Sequence, residues 1–175
     1  MAQYDLTLPL DKKTRLSLKA GDTVRLSGTI YTARDAAHKR IAEALATGHE
    51  PPVPLADAAV YYCGPTPALP GEIIGSCGPT TSARMDAYAP ALIAAGCTVM
   101  IGKGKRAPAV VDAMKRYGAV YFAAVGGAAA VIKDAIKACE CVAYPELGCE
   151  AVYRLQAENF EVIVAIDAHG GTILR

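Results

Sequence analysis

Apolar and polar residues change their period several times along the chain. Tyr4, Leu6 and Leu8 alternate with polar neighbours as far as Pro9, and Arg15 to Leu18 alternates again. Thr23 to Thr32 alternates clearly after the turn Ala20-Gly21-Asp22. Period-two stretches bounded by Gly, Pro and Asp predict strands at all three places. From Asp35 to Leu45 the spacing becomes helical, with Ile41, Ala44 and Leu45 on one side. Gly48 ends that helix and Pro51-Pro52-Val53-Pro54 prevents its return.

The middle of the chain alternates short apolar runs with amphipathic segments. Ala58 to Cys63, Glu72 to Cys77, Thr98 to Ile101 and Ala119 to Val125 read as strands. Ala83 to Ala95, closed by Gly96, and Pro108 to Tyr117, with proline in its first turn and Gly118 after its end, read as helices. Gly126-Gly127-Ala128-Ala129 predicts a strand-to-helix turn, and Ala128 to Lys137 a helix. Glu161 to Asp167 is nearly continuous and β-branched, as in a buried strand, and Thr172 to Leu174 could pair back after the turn Ala168–Gly171. Ala151 to Phe160 fits helix and strand equally. The rhythm predicts an α/β fold, a parallel or mixed sheet with flanking helices. No repeat or long linker divides it, so residues 1–175 are expected to form one domain.

Composition narrows the function. The chain has 175 residues, 53% hydrophobic and 20% charged, with a formal charge of +1. That balance lacks the basic face a nucleic-acid binder needs. With no Trp and two Phe among its aromatics, it also offers little for base stacking. Met1 to Asp5 has neither a basic start nor an apolar segment, so no secretory leader is expected. The longest nearly apolar run, Ala119 to Ile132, is too short to cross a bilayer. The expected location is the cytoplasm. Cysteines stand at 63, 77, 97, 139, 141 and 149, and reduced thiols acting as small apolar residues are the expectation. Cys139-Glu140-Cys141 with Cys149 has neither zinc-knuckle nor ferredoxin spacing, so no metal site is expected on this chain's own residues.

The chemistry concentrates in Gly78-Pro79-Thr80-Thr81-Ser82-Ala83-Arg84-Met85-Asp86, where a turn, three hydroxyls and a cation meet an expected helix start. Free N–H groups, hydroxyls and an arginine suit a small carboxylate or phosphate. Equally, Thr81 or Ser82 could cap the helix, with Arg84 on its exposed first turn. Lys103, in Gly102-Lys103-Gly104-Lys105-Arg106, follows a strand without the glycine and hydroxyl positions of a P-loop. It belongs either to a solvated basic turn or to a ligand site at a strand's carboxyl end. Arg34 opens a helix, where a cation opposes the dipole and calls for an anion, with Asp35 the nearest compensator. His38 is expected on the helix surface, and His49 and His169 in loops. No nucleophile elbow and no pair of acid–base carboxylates appears. These residues look like part of a site.

Taken together, Tyr31 to His38, Gly78 to Asp86 and Met100 to Gly104 resemble the class I fumarate hydratase β subunit, the C-terminal domain of iron–sulfur-dependent fumarases and L-tartrate dehydratases. Gly126 to Ala129, Tyr144 to Gly148 and Val164 to Gly170 extend the likeness in order along nearly the whole chain. Lys105 departs from the asparagine expected after Lys-Gly. The resemblance implies a swivelling β/β/α domain and reversible hydration of fumarate to (S)-malate. It implies a four-iron, four-sulfur cluster held by a separate α subunit, in an αβ or α2β2 assembly. It implies Thr80 as the base that removes a carbon-bound proton, with Arg34, Thr81, Arg84 and Lys103 binding the substrate. An interface left open without the partner would make self-association plausible. The alternatives are an L-tartrate dehydratase β subunit and a stand-alone dicarboxylate-binding module.

Overall fold

The computed structural model describes residues 1–124 and 129–175. In chain order its elements are β1 (Gln3–Thr7), α1 (Lys12–Ser17), β2 (Thr23–Thr32), α2 (Asp35–Ala46), β3 (Ala59–Tyr61) and a 3-10 turn (Ser82–Met85). There follow α3 (Ala89–Ala94), β4 (Val99–Gly102), α4 (Pro108–Tyr117), β5 (Val120–Ala124), α5 (Ala129–Ala135), β6 (Ile136–Ala143), a second 3-10 segment (Pro145–Glu150) and β7 (Val152–Ile166).

The sheet is mixed. β1, β2, β3, β4 and β5 pair in parallel in that order, while β7 runs antiparallel to β5, to β6 and to β2. Because β7 is 15 residues long, its first half lies between β6 and β2 and its second half between β2 and β5. The pairing of β2 with β7 closes the sheet on itself through β3, β4 and β5. One apolar cluster fills the inside of that closure, with Val24, Leu26, Ile30, Tyr61, Ile101, Phe122 and Leu155. A second lies outside, where Ile41 of α2, Leu92 of α3 and Met114 of α4 cover Val60, Tyr62, Met100 and Tyr121. Strands β3 and β4 are buried on both faces, as continuous apolar runs require. Among the described residues no helix is long and apolar enough to cross a membrane.

Several sequence expectations need correction. Arg15 to Leu18 lies at the end of a helix and beyond, not in a strand: Asp11 caps α1 by accepting from Thr14 N–H at 2.6 Å. Arg15 alternates because it is buried, donating its Nε–H to Gly118 C=O at 2.8 Å. Glu72 to Cys77 joins no strand. Ile74 and Cys77 are buried apolar residues of a loop, anchored where the Tyr61 hydroxyl donates to Cys77 C=O at 2.6 Å. The expected helix from Ala83 is broken into the 3-10 turn and the short α3, which starts at Ala89-Pro90. The helix expected to reach Lys137 stops at Ala135, and Ile136 opens the unexpected strand β6. Ala151 to Phe160 is strand throughout most of its length. Thr172 does pair back, bridging Ile166. The glycine turn expected at 126–128 lies outside the described residues.

Candidate active site

The parallel strands β2, β3 and β4 end side by side, and the loops beyond their carboxyl ends carry the candidate residues. Ligands commonly sit beyond the carboxyl ends of parallel strands in α/β folds, closed or open. β2 leads through Ala33 to Arg34, β3 through Tyr62 to Gly64, and β4 to Lys103. Sheet-like bonds continue past the strands: Ala33 N–H donates to Tyr61 C=O at 3.0 Å, and Tyr62 N–H to Ile101 C=O at 2.8 Å.

The hydroxyl segment lies across these ends as a short added strand. Thr80 N–H donates to Tyr62 C=O at 2.7 Å, Thr81 forms a parallel bridge with Lys103, and Ser82 N–H donates to Lys103 C=O at 2.9 Å. Thr81 stands at the N-cap of the 3-10 turn, yet no side-chain cap bond forms there. Ser82 instead turns its Oγ inward to accept Lys103 N–H at 3.0 Å. The helix-cap reading therefore does not account for these hydroxyls. Thr81 is exposed and Thr80 half-buried.

The cations converge on the same rim. Asp35, in the first turn of α2, lies 3.7 Å from Arg34 Nη2 and 3.6 Å from Arg84 Nε. Glu150, just before β7, lies 3.9 Å from Arg34 Nε. These are loose ion pairs, longer than hydrogen bonds. Arg34 Nε is buried and has no hydrogen-bond partner among the described residues, so its donor capacity is unspent. Gly64 makes room for it: a Cβ there would lie 2.8 Å from Arg34 Cδ. Lys103 is exposed at the end of β4. The structure thus brings Arg34, Thr80, Thr81, Arg84 and Lys103 to one rim, linked through Asp35 and through the bridge between Thr81 and Lys103.

Beneath the rim lies a polar network that sequence reasoning missed. Arg106, read there only as the end of a basic run, either a solvated turn or a ligand site, has a side chain with 0% exposure. Its Nε–H donates to Asp86 Oδ1 at 2.7 Å, and Nη2 donates to the Tyr62 hydroxyl at 3.2 Å. Its guanidinium lies over the rings of Tyr62 and Tyr121, at 5.1 and 4.9 Å from their centroids. Burial raises the hydroxyl pKa of both tyrosines, so each remains protonated and able to donate. One signal was available: Arg106 stands two residues before the helix-opening Pro108, a cation at a helix start that needs an anion. Asp86 is that anion, and its Oδ2 also accepts Ala107 N–H at 2.6 Å.

His38 is buried rather than on the helix surface. Its Nδ1–H donates to Arg34 C=O at 3.0 Å, and its ring meets the Tyr62 ring at 5.1 Å, edge to face. Burial, and to a smaller extent the nearby Arg106 charge, push its pKa down to about 4. The neutral ring therefore fixes the backbone of Arg34.

Cysteines on this chain do not fit a cluster ligated by three thiolates. Cys63, Cys77 and Cys97 are buried, and burial pushes Cys77 up to about 11 and Cys97 up to about 12, away from the thiolate a metal needs. Among the described residues no three Cys, His, Asp or Glu side chains converge as metal ligands. Cys141 and Cys149 are exposed rather than buried. Cys139 and Cys149 share the lining of a cavity of about 330 Å³ with Ile73, Ile74 and Tyr153.

Comparison with known proteins agrees with the motifs. Fumarate hydratase 2 of Leishmania major is 39% identical over 172 residues, which are 96% of this chain and 30% of that protein. The aerobic class I fumarate hydratase of Escherichia coli K12 is 42% identical over 147 residues, 83% of this chain and 27% of that protein. The chain therefore spans less than a third of these relatives. A protein of Methanocaldococcus jannaschii named as an L(+)-tartrate dehydratase subunit beta is 39% identical over 170 residues, 94% of this chain and 87% of that protein. The family model described as Fumarase C-terminus matches residues 2–175, and the chain belongs to that family.

Proposed function

We propose that this chain is the β subunit of a class I fumarate hydratase, catalysing reversible hydration of fumarate to (S)-malate in the cytoplasm with a separate α subunit, as an αβ or α2β2 assembly. In this reading residues 1–175 act as one swivelling domain. The observation that carries it is the rim itself: two arginines sharing Asp35, beside a lysine whose backbone is bridged to Thr81.

The rim suits a C4 diacid. Arg34 and Arg84 have guanidinium donors left over by their loose contacts with Asp35 and Glu150, and can turn them onto one carboxylate. Lys103 supplies a point charge for the other and for the negative charge that builds on it when the neighbouring carbon loses its proton. Thr80 would take that proton from malate as its alkoxide and return it in the hydration direction, its own hydroxyl proton having passed first to an acidic relay group of the partner. An alcohol is a weak base near neutral pH, so the role depends on the cations around it. The resemblance implies a four-iron, four-sulfur group; this chain's cysteines do not fit it, so in this reading the α subunit would hold it and it would supply a Lewis acid for the substrate hydroxyl.

The test is anaerobic co-expression with the α subunit, followed by fumarate absorbance on adding malate. Thr80→Ala is expected to lower kcat by about 10²–10⁴-fold with little change in KM. Wild-type turnover in that variant would remove Thr80 from the mechanism. A second reading, an L-tartrate dehydratase β subunit, is favoured by one observation: the match to the Methanocaldococcus jannaschii relative covers 87% of that protein. Turnover of L-tartrate by the same complex in preference to malate would establish it. Tight binding of fumarate by the isolated chain in calorimetry, with no turnover in the complex, would favour a stand-alone binding module.

A further inference from the structure

We propose that Arg106 and Tyr121 are positioning residues, which hold Lys103 and the turn from Thr80 to Arg84 in the arrangement that grips a dicarboxylate. The inference rests on the reading of Lys103 as a substrate-binding cation.

Arg106 spends its donors on the protein, on Asp86, on the Tyr62 hydroxyl and, at 3.5 Å, on the Met100 sulfur. A buried cation is costly to desolvate, and apolar side chains could fill the same volume. What this network adds is direction, because both of its outlets end at the rim. Through Tyr121 it reaches the loop of Lys103: the phenol, stacked on the guanidinium, shares its proton between Ser82 Oγ and Gly104 C=O, each at 2.9 Å. Ser82 Oγ in turn accepts Lys103 N–H. Gly102 completes the fit, since a Cβ there would lie 2.0 Å from Ser82 Oγ. Lys103 is thus held on both sides of its Cα, its N–H by the Ser82 side chain and its C=O by the Ser82 backbone, and only its own side chain is free to follow the substrate. Through Asp86 the network reaches the other loop: Asp86 ends the 3-10 turn that carries Arg84, and its carboxylate is clamped by Arg106 and by Ala107 N–H.

The test is a double-mutant cycle in the αβ complex, with (S)-malate as the varied substrate. Tyr121→Phe keeps the ring against Arg106 and removes only the hydroxyl, and with it the bonds to Ser82 Oγ and Gly104 C=O. It is expected to raise KM about fivefold and to lower kcat as well, because Lys103 both holds the substrate and meets the charge that develops on it. Lys103→Ala is expected to raise KM further. In the Lys103→Ala background, adding Tyr121→Phe should change KM by less than about twofold, because the side chain being positioned is gone. Ser82→Ala, which removes the acceptor of Lys103 N–H, should show the same dependence on Lys103. A purely structural role would lower the folded fraction, and so kcat, equally in both backgrounds. If Lys103→Ala raises KM but Tyr121→Phe leaves it alone, or multiplies it by the same factor with or without Lys103, the positioning role is overturned and the proposed function stands. If Lys103→Ala itself leaves KM unchanged, the assignment of Lys103 as substrate cation fails and takes the positioning role with it.

Discussion

The rim and the floor of this site are built from the same chemistry used in opposite ways. On the rim, Arg84 and Asp35 lie 3.6 Å apart with side chains 56% and 34% exposed. On the floor, Arg106 and Asp86 lie 2.7 Å apart at 0% and 10%. The floor arginine is committed to protein partners, while Arg34 on the rim keeps a buried Nε with none among the described residues. A buried donor is left unsatisfied only at a cost, and under the proposed function a substrate carboxylate would complete this one. Commitment of donors, more than the presence of charge, distinguishes Arg106 from Arg34.

The largest effect expected from this contrast is on stability. Asp86→Ala leaves the Arg106 charge buried and unpaired, and removes the acceptor of Ala107 N–H. Loss of one partner from a buried pair costs about 3–5 kcal/mol. Equilibrium urea unfolding of the purified chain should show that loss, and a change below about 1 kcal/mol would mean that the floor pair is no more than a surface pair in energetic terms.

His38 gives a pH test of the same floor. Its ring is faced by Arg106, by Asp35, by the Arg34 carbonyl and by the Tyr62 ring. In the unfolded chain it takes a proton near its ordinary pKa of 6.5, whereas in the folded protein it resists until about 4. A depressed folded pKa means that the stabilising contribution is complete above 6.5 and drains away as the pH falls towards 4. For one proton the slope is about 1.4 kcal/mol per pH unit, so this group alone removes about 2 kcal/mol between pH 6.5 and pH 5. His38→Gln should lose that share of the pH dependence in urea unfolding at pH 7 and pH 5. An equal loss in both proteins would place the titration elsewhere.

The rim could be read in the sequence through the family resemblance, which singled out Arg34, Thr80, Thr81, Arg84 and Lys103; beside their turns the same residues also fitted a helix cap and a solvated basic loop. The floor could not. A tyrosine inside β5 looks like core, and Arg106 closes a run, Lys103-Gly104-Lys105-Arg106, that resembles a solvated turn. Its partners Asp86 and Tyr62 are 20 and 44 residues away in sequence. Only folding brings them together. The elements divide similarly. β2 and α4 follow from alternation and from the Pro108 and Gly118 signals. β6 was missed because it is exposed or half-buried over most of its length and follows α5 without a breaker. The apolar run from Glu72 to Cys77 was mistaken for a strand because burial alone, without a pairing partner, produces the same pattern.

The smallest stability effect should come from the rim, and its sign carries the argument. In the absence of substrate, Arg34 and Arg84 both lean on Asp35 at 3.7 and 3.6 Å, so each feels the other's like charge across a single carboxylate. Arg84 is more than half exposed, and such a pair contributes at most about 1 kcal/mol once screened by water. Removing the charge also relieves the repulsion on Arg34. Arg84→Gln is therefore expected to leave urea unfolding unchanged or slightly more difficult and, under the proposed function, to raise KM for (S)-malate about tenfold through loss of a charge-assisted bond to its carboxylate. A clear loss of stability with KM unaltered would make Arg84 part of the floor rather than the rim, and would erase the distinction between arginines that hold the fold and arginines that wait for a ligand.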